Sequence, residues 1–237
     1  AFAWNSVFPN DTPEIWGDSH EFGIVFADVD GDAYPAAVKA TKWNISPNTI
    51  VKETRRNLSY QTIAGGYDYP YLSSPLPTWI PPKVICEVVS GPNGVPTGDA
   101  QGVVVTDVTG DVLPDFVFAD STSSQTSQVY VNTGSNWVHD PVWDGQVQPL
   151  DPTYTGFRPQ LGDVNGDGLM DQIKISGGFV YSADVFKNTG TAFTFMPFGN
   201  GLYNGTGIRG LDFDHDGCTD LIQSSDTAGQ RLLPNTQ

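Results

Sequence analysis

The chain is predicted to be all-β, an array of about four repeats, each a sheet of about four strands. Three observations point there. A nine-residue acidic loop is written four times, short strand-like runs flank each loop, and an Asn-Thr turn recurs after each of the last three. Gly (26) and Pro (18) are frequent and aromatic residues make up 12% of the 237 residues, which suits many strands joined by turns. Helical periodicity is absent nearly everywhere.

The loops occupy 28–36, 107–115, 163–171 and 212–220, so their starts are 79, 56 and 49 residues apart. Before them come Gly23-Ile-Val-Phe, Gly102-Val-Val-Val and Gly207-Ile-Arg-Gly-Leu. After them come Asp115-Phe-Val-Phe, Asp171-Gln-Ile-Lys-Ile and Asp220-Leu-Ile-Gln, alternating runs of half-buried strands. A third strand then ends in Asn132-Thr-Gly, Asn188-Thr-Gly or Asn235-Thr-Gln, a hairpin signal. The fourth strand follows as Ser135-Asn-Trp-Val or Thr191-Ala-Phe-Thr-Phe. One unit is thus four strands in roughly 50 to 55 residues, the size of a propeller blade.

Oxygen side chains at loop positions 1, 3, 5 and 9 around a tight turn are what a hard cation such as Ca²⁺ requires. Two carboxylates about 4 Å apart repel by roughly 1 kcal/mol in water and roughly 4 kcal/mol at an effective dielectric near 20. Three or four in nine residues therefore call for a cation. The third loop offers Asp163, Asn165, Asp167 and Asp171 with the Leu169 carbonyl. The fourth offers Asp212, Asp214, Asp216 and Asp220 with the Cys218 carbonyl. The second has Asp107, Thr109, Asp111 and Asp115, with Val112 where the later copies have a turn glycine. The first has Asp28, Asp30 and Asp32, with Ala33 at the turn and Ala36 at position 9, so water or another segment must complete it. An EF-hand is excluded: position 12 holds Lys39, Phe118, Lys174 and Gln223 rather than an acid, and the flanks are strands.

On these motifs the chain resembles the FG-GAP and VCBS repeat families, found in integrin α-subunit propellers, fungal propeller lectins and bacterial toxin-complex proteins. The resemblance covers nearly the whole chain except about 60–100. It implies a propeller-like fold, Ca²⁺ held between two strands of each blade, and a role as a binding or assembly platform.

The last unit stops at its hairpin turn, and Phe2-Ala-Trp4-Asn-Ser-Val-Phe8-Pro9 matches the strand it lacks. An N-terminal strand is therefore expected to complete the last blade, either of its own chain or of a neighbouring one. The second case would join subunits head to tail. The first interval carries an insert, about 62–98, rich in Pro and aromatics. Its Tyr67, Tyr69, Tyr71 and Trp79 read as a sugar-stacking platform, a subunit contact, or a loop packed on its own blade.

Net charge is −16 and no basic patch dominates, which argues against nucleic acid. No apolar run reaches membrane-span length, and the start does not read as a signal peptide. Cys86 and Cys218 permit one disulfide or two free thiols. Sequons stand at Asn10, Asn44, Asn57 and Asn204, the first two followed by Pro13 and Pro47. No catalytic or cofactor motif is present. Read as one domain over 1–237, the chain is expected to be an extracellular, calcium-stabilised structural or adhesive protein, self-associating or joined to other extracellular proteins. A glycan-binding lectin-like module is the alternative.

Overall fold

The computed structural model describes residues 23–45, 48–58, 71–72, 76–90, 96–119, 127–148, 160–177, 181–196, 207–225 and 229–233. The N-terminal strand, Tyr67 and Tyr69, and the sequons at Asn10 and Asn204 lie outside them. The chain divides into two compact units. One comprises Ala1–Gln101 with Asn132–Trp137, the other Gly102–Val131 with Val138–Gln237.

The first unit begins with strands β1 (Ile24–Ala27), β2 (Ala36–Trp43) and β3 (Thr49–Arg55), with β2 antiparallel to both neighbours. The central β2 is buried from Ala36 to Thr41, as expected for a strand covered on both faces. A two-stranded piece follows, β4 (Asn57–Leu58) with β5 (Tyr71–Leu72). The hairpin of β6 (Cys86–Ser90) and β7 (Pro96–Ala100) then joins the first sheet.

Here the structure corrects the expected four-stranded unit: the sheet has five strands, one pairing parallel. The cause is a free stretch of edge. β1 pairs with Ala36–Lys39 and stops, and β6 takes up β2 at Thr41–Trp43. The insert thus supplies strands rather than only a loop. Gly23, at φ 72°, lets the chain enter β1 against β2: a Cβ there would meet the Ala40 carbonyl and Thr41 Oγ1 at 2.8 Å.

The second sheet runs β8 (Val103–Thr106), β9 (Asp115–Phe118), β10 (Gln128–Asn132) and β11 (Trp137–His139), in the order β11-β10-β9-β8. A 3₁₀ turn, Pro141–Trp143, follows. The third sheet is β12 (Gln160–Gly162), β13 (Asp171–Gly177), β14 (Tyr181–Asn188) and β15 (Phe193–Met196). The fourth is β16 (Gly207–Leu211), β17 (Asp220–Ser225) and β18 (Gly229–Leu233). Sheets two and three are the antiparallel four-stranded units expected of propeller-type blades. Among the described residues the fourth has three strands.

The core of the second unit is formed by Val108, Val117, Val129, Trp143, Val147 and Phe193, with Phe193 edge-on to Trp143 at 5.6 Å. In the first unit Trp79 is 4% exposed and lies edge-on to Trp137 at 5.1 Å. Trp79 is therefore a packing residue and not part of a stacking platform. Cys86 and Cys218 are both buried, one in each unit. Each is packed within its own unit: Cys86 Cβ lies 3.1 Å from where a Cβ on Gly23 would stand, and Cys218 Sγ lies 3.4 Å from the same point on Gly166.

Candidate metal-binding loops

Each loop bridges the first two strands of its sheet, and all four share one backbone conformation. Positions 4 and 6 are left-handed in every copy: Gly31 and Ala33, Gly110 and Val112, Gly166 and Gly168, His215 and Gly217. Ala33, Val112 and His215 adopt φ of 68°, 76° and 63° although none is glycine. Left-handed geometry at a residue with a Cβ costs about 1–2 kcal/mol. The rest of the loop holds these residues in place.

That hold is a repeated set of hydrogen bonds. The position-1 carboxylate caps the turn. Asp28 Oδ2, Asp107 Oδ2, Asp163 Oδ2 and Asp212 Oδ2 accept the position-6 N–H of Ala33, Val112, Gly168 and Gly217 at 2.7 to 3.1 Å. The position-5 carboxylate accepts the position-7 N–H in all four: Tyr34 to Asp32, Leu113 to Asp111, Leu169 to Asp167 and Cys218 to Asp216. Position 9 closes the loop from below. Asp115, Asp171 and Asp220 are fully buried and accept the N–H of Val108, Val164 and Phe213 at 2.9 to 3.0 Å.

The loops differ in what is left for a cation. In loops one and four the carboxylates of positions 1, 3 and 5 converge: oxygens of Asp28, Asp30 and Asp32, and of Asp212, Asp214 and Asp216, lie within 4.8 Å of one another. In loop two Thr109 stands at position 3 and its hydroxyl hydrogen bonds Asp107. In loop three Asn165 donates to Asp167 Oδ2, and Lys187 pairs with the same oxygen at 3.1 Å. The position-1 acids of loops three and four also differ. Asp163 Oδ1 accepts from Gly166 and Asp167, whereas Asp212 Oδ1 is buried and accepts nothing among the described residues. A buried carboxylate oxygen without a partner is costly unless a cation meets it.

Charge and burial act on the acids themselves. Burial is the largest influence on Asp171 and pushes its carboxyl up, opposed by the N–H groups of Asn188 and Val164 and reinforced by Asp167 and Asp163. Asp167 ends lower than usual: burial works upward, but the Leu169 N–H, Lys187 and Asn165 outweigh it. Burial and then the carboxylates of Asp216 and Asp163 push the Cys218 thiol up, keeping it protonated and unreactive.

The Asn-Thr turns have a second task that sequence reasoning missed. Asn132 Oδ1 and Asn188 Oδ1 accept the N–H of Gly134 and Gly190, shaping each hairpin. Their amides reach back to the preceding acidic loop. Asn132 Nδ2 donates to the Val29 carbonyl and Asn188 Nδ2 to the Val108 carbonyl, at 2.8 and 2.7 Å. The signal was present as an Asn repeated after each third strand. Of the sequons, Asn44 is exposed past β2 with its amide on Glu87, and Asn57 lies in β4.

A four-fold acidic loop between antiparallel strands defines an all-β repeat protein. Residues 107–173, which carry loops two and three, match the family model described as FG-GAP-like repeat. No curated protein matches the chain. Among solved structures it is similar to a chain of the Photorhabdus luminescens Tc holotoxin pore, in a mutant form. The identity is 14% and the TM-score 0.31, over 92% of this chain and 14% of that one. Among the described residues no helix is long and apolar enough to cross a membrane.

Proposed function

We propose that this chain is a calcium-stabilised structural or adhesive repeat protein of an extracellular assembly, joined to further copies of itself or to other extracellular proteins. It is not an enzyme on this reading. The observation that carries it is loop four, where three converging carboxylates include a buried Asp212 oxygen that has no hydrogen-bond partner among the described residues. Ca²⁺ suits that oxygen-only donor set, and loops two and three provide the same positions with Thr109 and Asn165 as neutral ligands. The ion would tie two adjacent strands of a blade and cancel local repulsion. Extracellular calcium modules bind with Kd of about 10⁻⁴ to 10⁻³ M.

Among the described residues the fourth sheet has three strands, and a further strand, from the N-terminal segment of this chain or of a neighbouring copy, would bring it to the four of sheets two and three. Electron microscopy of the purified chain in millimolar Ca²⁺, repeated after chelation, tests the reading. Polymers or filaments that come apart on chelation are expected. Monomers indifferent to Ca²⁺ at every concentration would overturn it.

A further inference from the structure

Loop one lacks the position-9 carboxylate, and Ala36 stands there, buried. Its position-1 and position-5 acids are occupied by the loop itself, Asp28 with the N–H groups of Asp32 and Ala33, and Asp32 with that of Tyr34. Asp30 is not. Its side chain is 7% exposed, and among the described residues neither oxygen accepts an aligned hydrogen bond. The group that reaches it is the Arg56 guanidinium, in an ion pair with Asp30 Oδ2.

The placement of Arg56 follows from the sheet register. Arg55 lies opposite Ala37, so the next residue, Arg56, falls level with Ala36, where the other loops have an aspartate. In the third repeat the same count from the Gln172–Phe186 pair puts Lys187 level with Asp171, and Lys187 pairs with Asp167. The equivalent residue of repeat two is Val131, which carries no charge. A cation on the third strand, or just past its end, thus stands beside loops one and three, and beside loop one it coincides with a missing ligand.

We propose that Arg56 is the resident cation of loop one. Its guanidinium neutralises the buried Asp30 carboxylate, and loop one holds its conformation without a metal ion. A guanidinium is always charged and weakly hydrated, so it suits a buried carboxylate. A divalent ion brought to the same oxygens would meet that positive charge with one ligand fewer than its siblings offer. The inference rests on the calcium reading of the other loops, since it states which loop is exempt from it.

Calcium titration calorimetry of the full chain, with thermal unfolding in chelator, tests the assignment. Asp30→Asn is expected to leave the number of bound Ca²⁺ unchanged, whereas Asp212→Asn lowers it by one. The double change Arg56→Met with Ala36→Asp should raise it by one. In chelator, Arg56→Met should lower the melting temperature, and adding Asp30→Asn should recover most of that loss. Loss of one bound Ca²⁺ in Asp30→Asn, with Arg56 intact, overturns the proposal. If the unaltered chain binds no Ca²⁺, the calcium reading fails, and the chelator series then decides alone. Independent effects of Arg56→Met and Asp30→Asn there would also overturn the resident-cation assignment.

Discussion

Asn188 donates its side-chain amide to the Val108 carbonyl, 80 residues earlier in the chain, at 2.7 Å, and both residues are fully buried. Asn132 does the same to the Val29 carbonyl across 103 residues. Each bond fastens the third strand of one repeat to the acidic loop of the repeat before it. Removing one partner leaves a buried carbonyl unsatisfied, which costs about 1–3 kcal/mol. Asn188→Ala also loses the turn bond to Gly190. Asn188→Ala is expected to destabilise by about 2–3 kcal/mol in urea unfolding, and Asn188→Ser by nearly as much, because serine is too short to reach Val108. A cost within experimental error for both would mean that the bond contributes nothing.

Val112 and Ala33 occupy a left-handed position where loops three and four have Gly168 and Gly217. Val112 is β-branched and 86% exposed, so its side chain gains little from burial in return. Val112→Gly should therefore stabilise the protein by about 1 kcal/mol, net of the greater freedom glycine has when unfolded. Ala33→Gly should give a smaller gain in the same direction. Denaturation midpoints at constant slope check both, and a loss of stability in Val112→Gly would show the loop to be held by more than its hydrogen bonds.

The repeat was legible because its signals are local. Positions 1, 5 and 9 announce themselves by spacing, and Asn132-Thr-Gly and Asn188-Thr-Gly read as hairpins. What stayed hidden was non-local. Nothing near Asn188 in the chain points to Val108, and nothing near Arg56 points to Asp30. The parallel pairing of β2 with β6 depends on where β1 happens to end. Trp79 stands among exposed-looking prolines, and only tertiary contact with Trp137 makes it a core residue. His215 shows the limit of residue identity: position 4 is glycine in three loops, yet the fourth adopts the same φ without one.

Acidity should act on loop three in two opposite senses. The carboxyl of Asp171 lies above the ordinary value of 3.8, so in metal-free protein its contribution is fully present below that value and is lost as pH rises through the folded-state pKa. Asp167 lies below 3.8, so its contribution is present above that value and is lost as pH falls through the folded-state pKa. Carboxyl ¹³C titration of the chelated protein should therefore find Asp171 titrating at higher pH than Asp167. The reverse order would contradict the account of burial against hydrogen bonding given for this loop.

Calcium should stabilise the fold through Asp212 above all. Among the described residues its Oδ1 is a buried position-1 oxygen with no hydrogen-bond partner, while Asp28, Asp107 and Asp163 hold theirs with loop N–H groups. A ligand that binds only the folded state stabilises by RT ln(1 + [L]/Kd). For a site with Kd of about 10⁻⁴ M, about 1 mM Ca²⁺ supplies roughly 1.4 kcal/mol, or about 3 to 5 °C for a chain of this size. Asp212→Asn keeps an oxygen for the Gly217 N–H but removes one of the three converging negative charges. In chelator the substitution should be nearly neutral, because relieving repulsion among Asp212, Asp214 and Asp216 offsets the altered cap. In Ca²⁺ it should erase this site's share of the melting-temperature rise. An equal loss in both conditions would instead assign Asp212 to the turn alone.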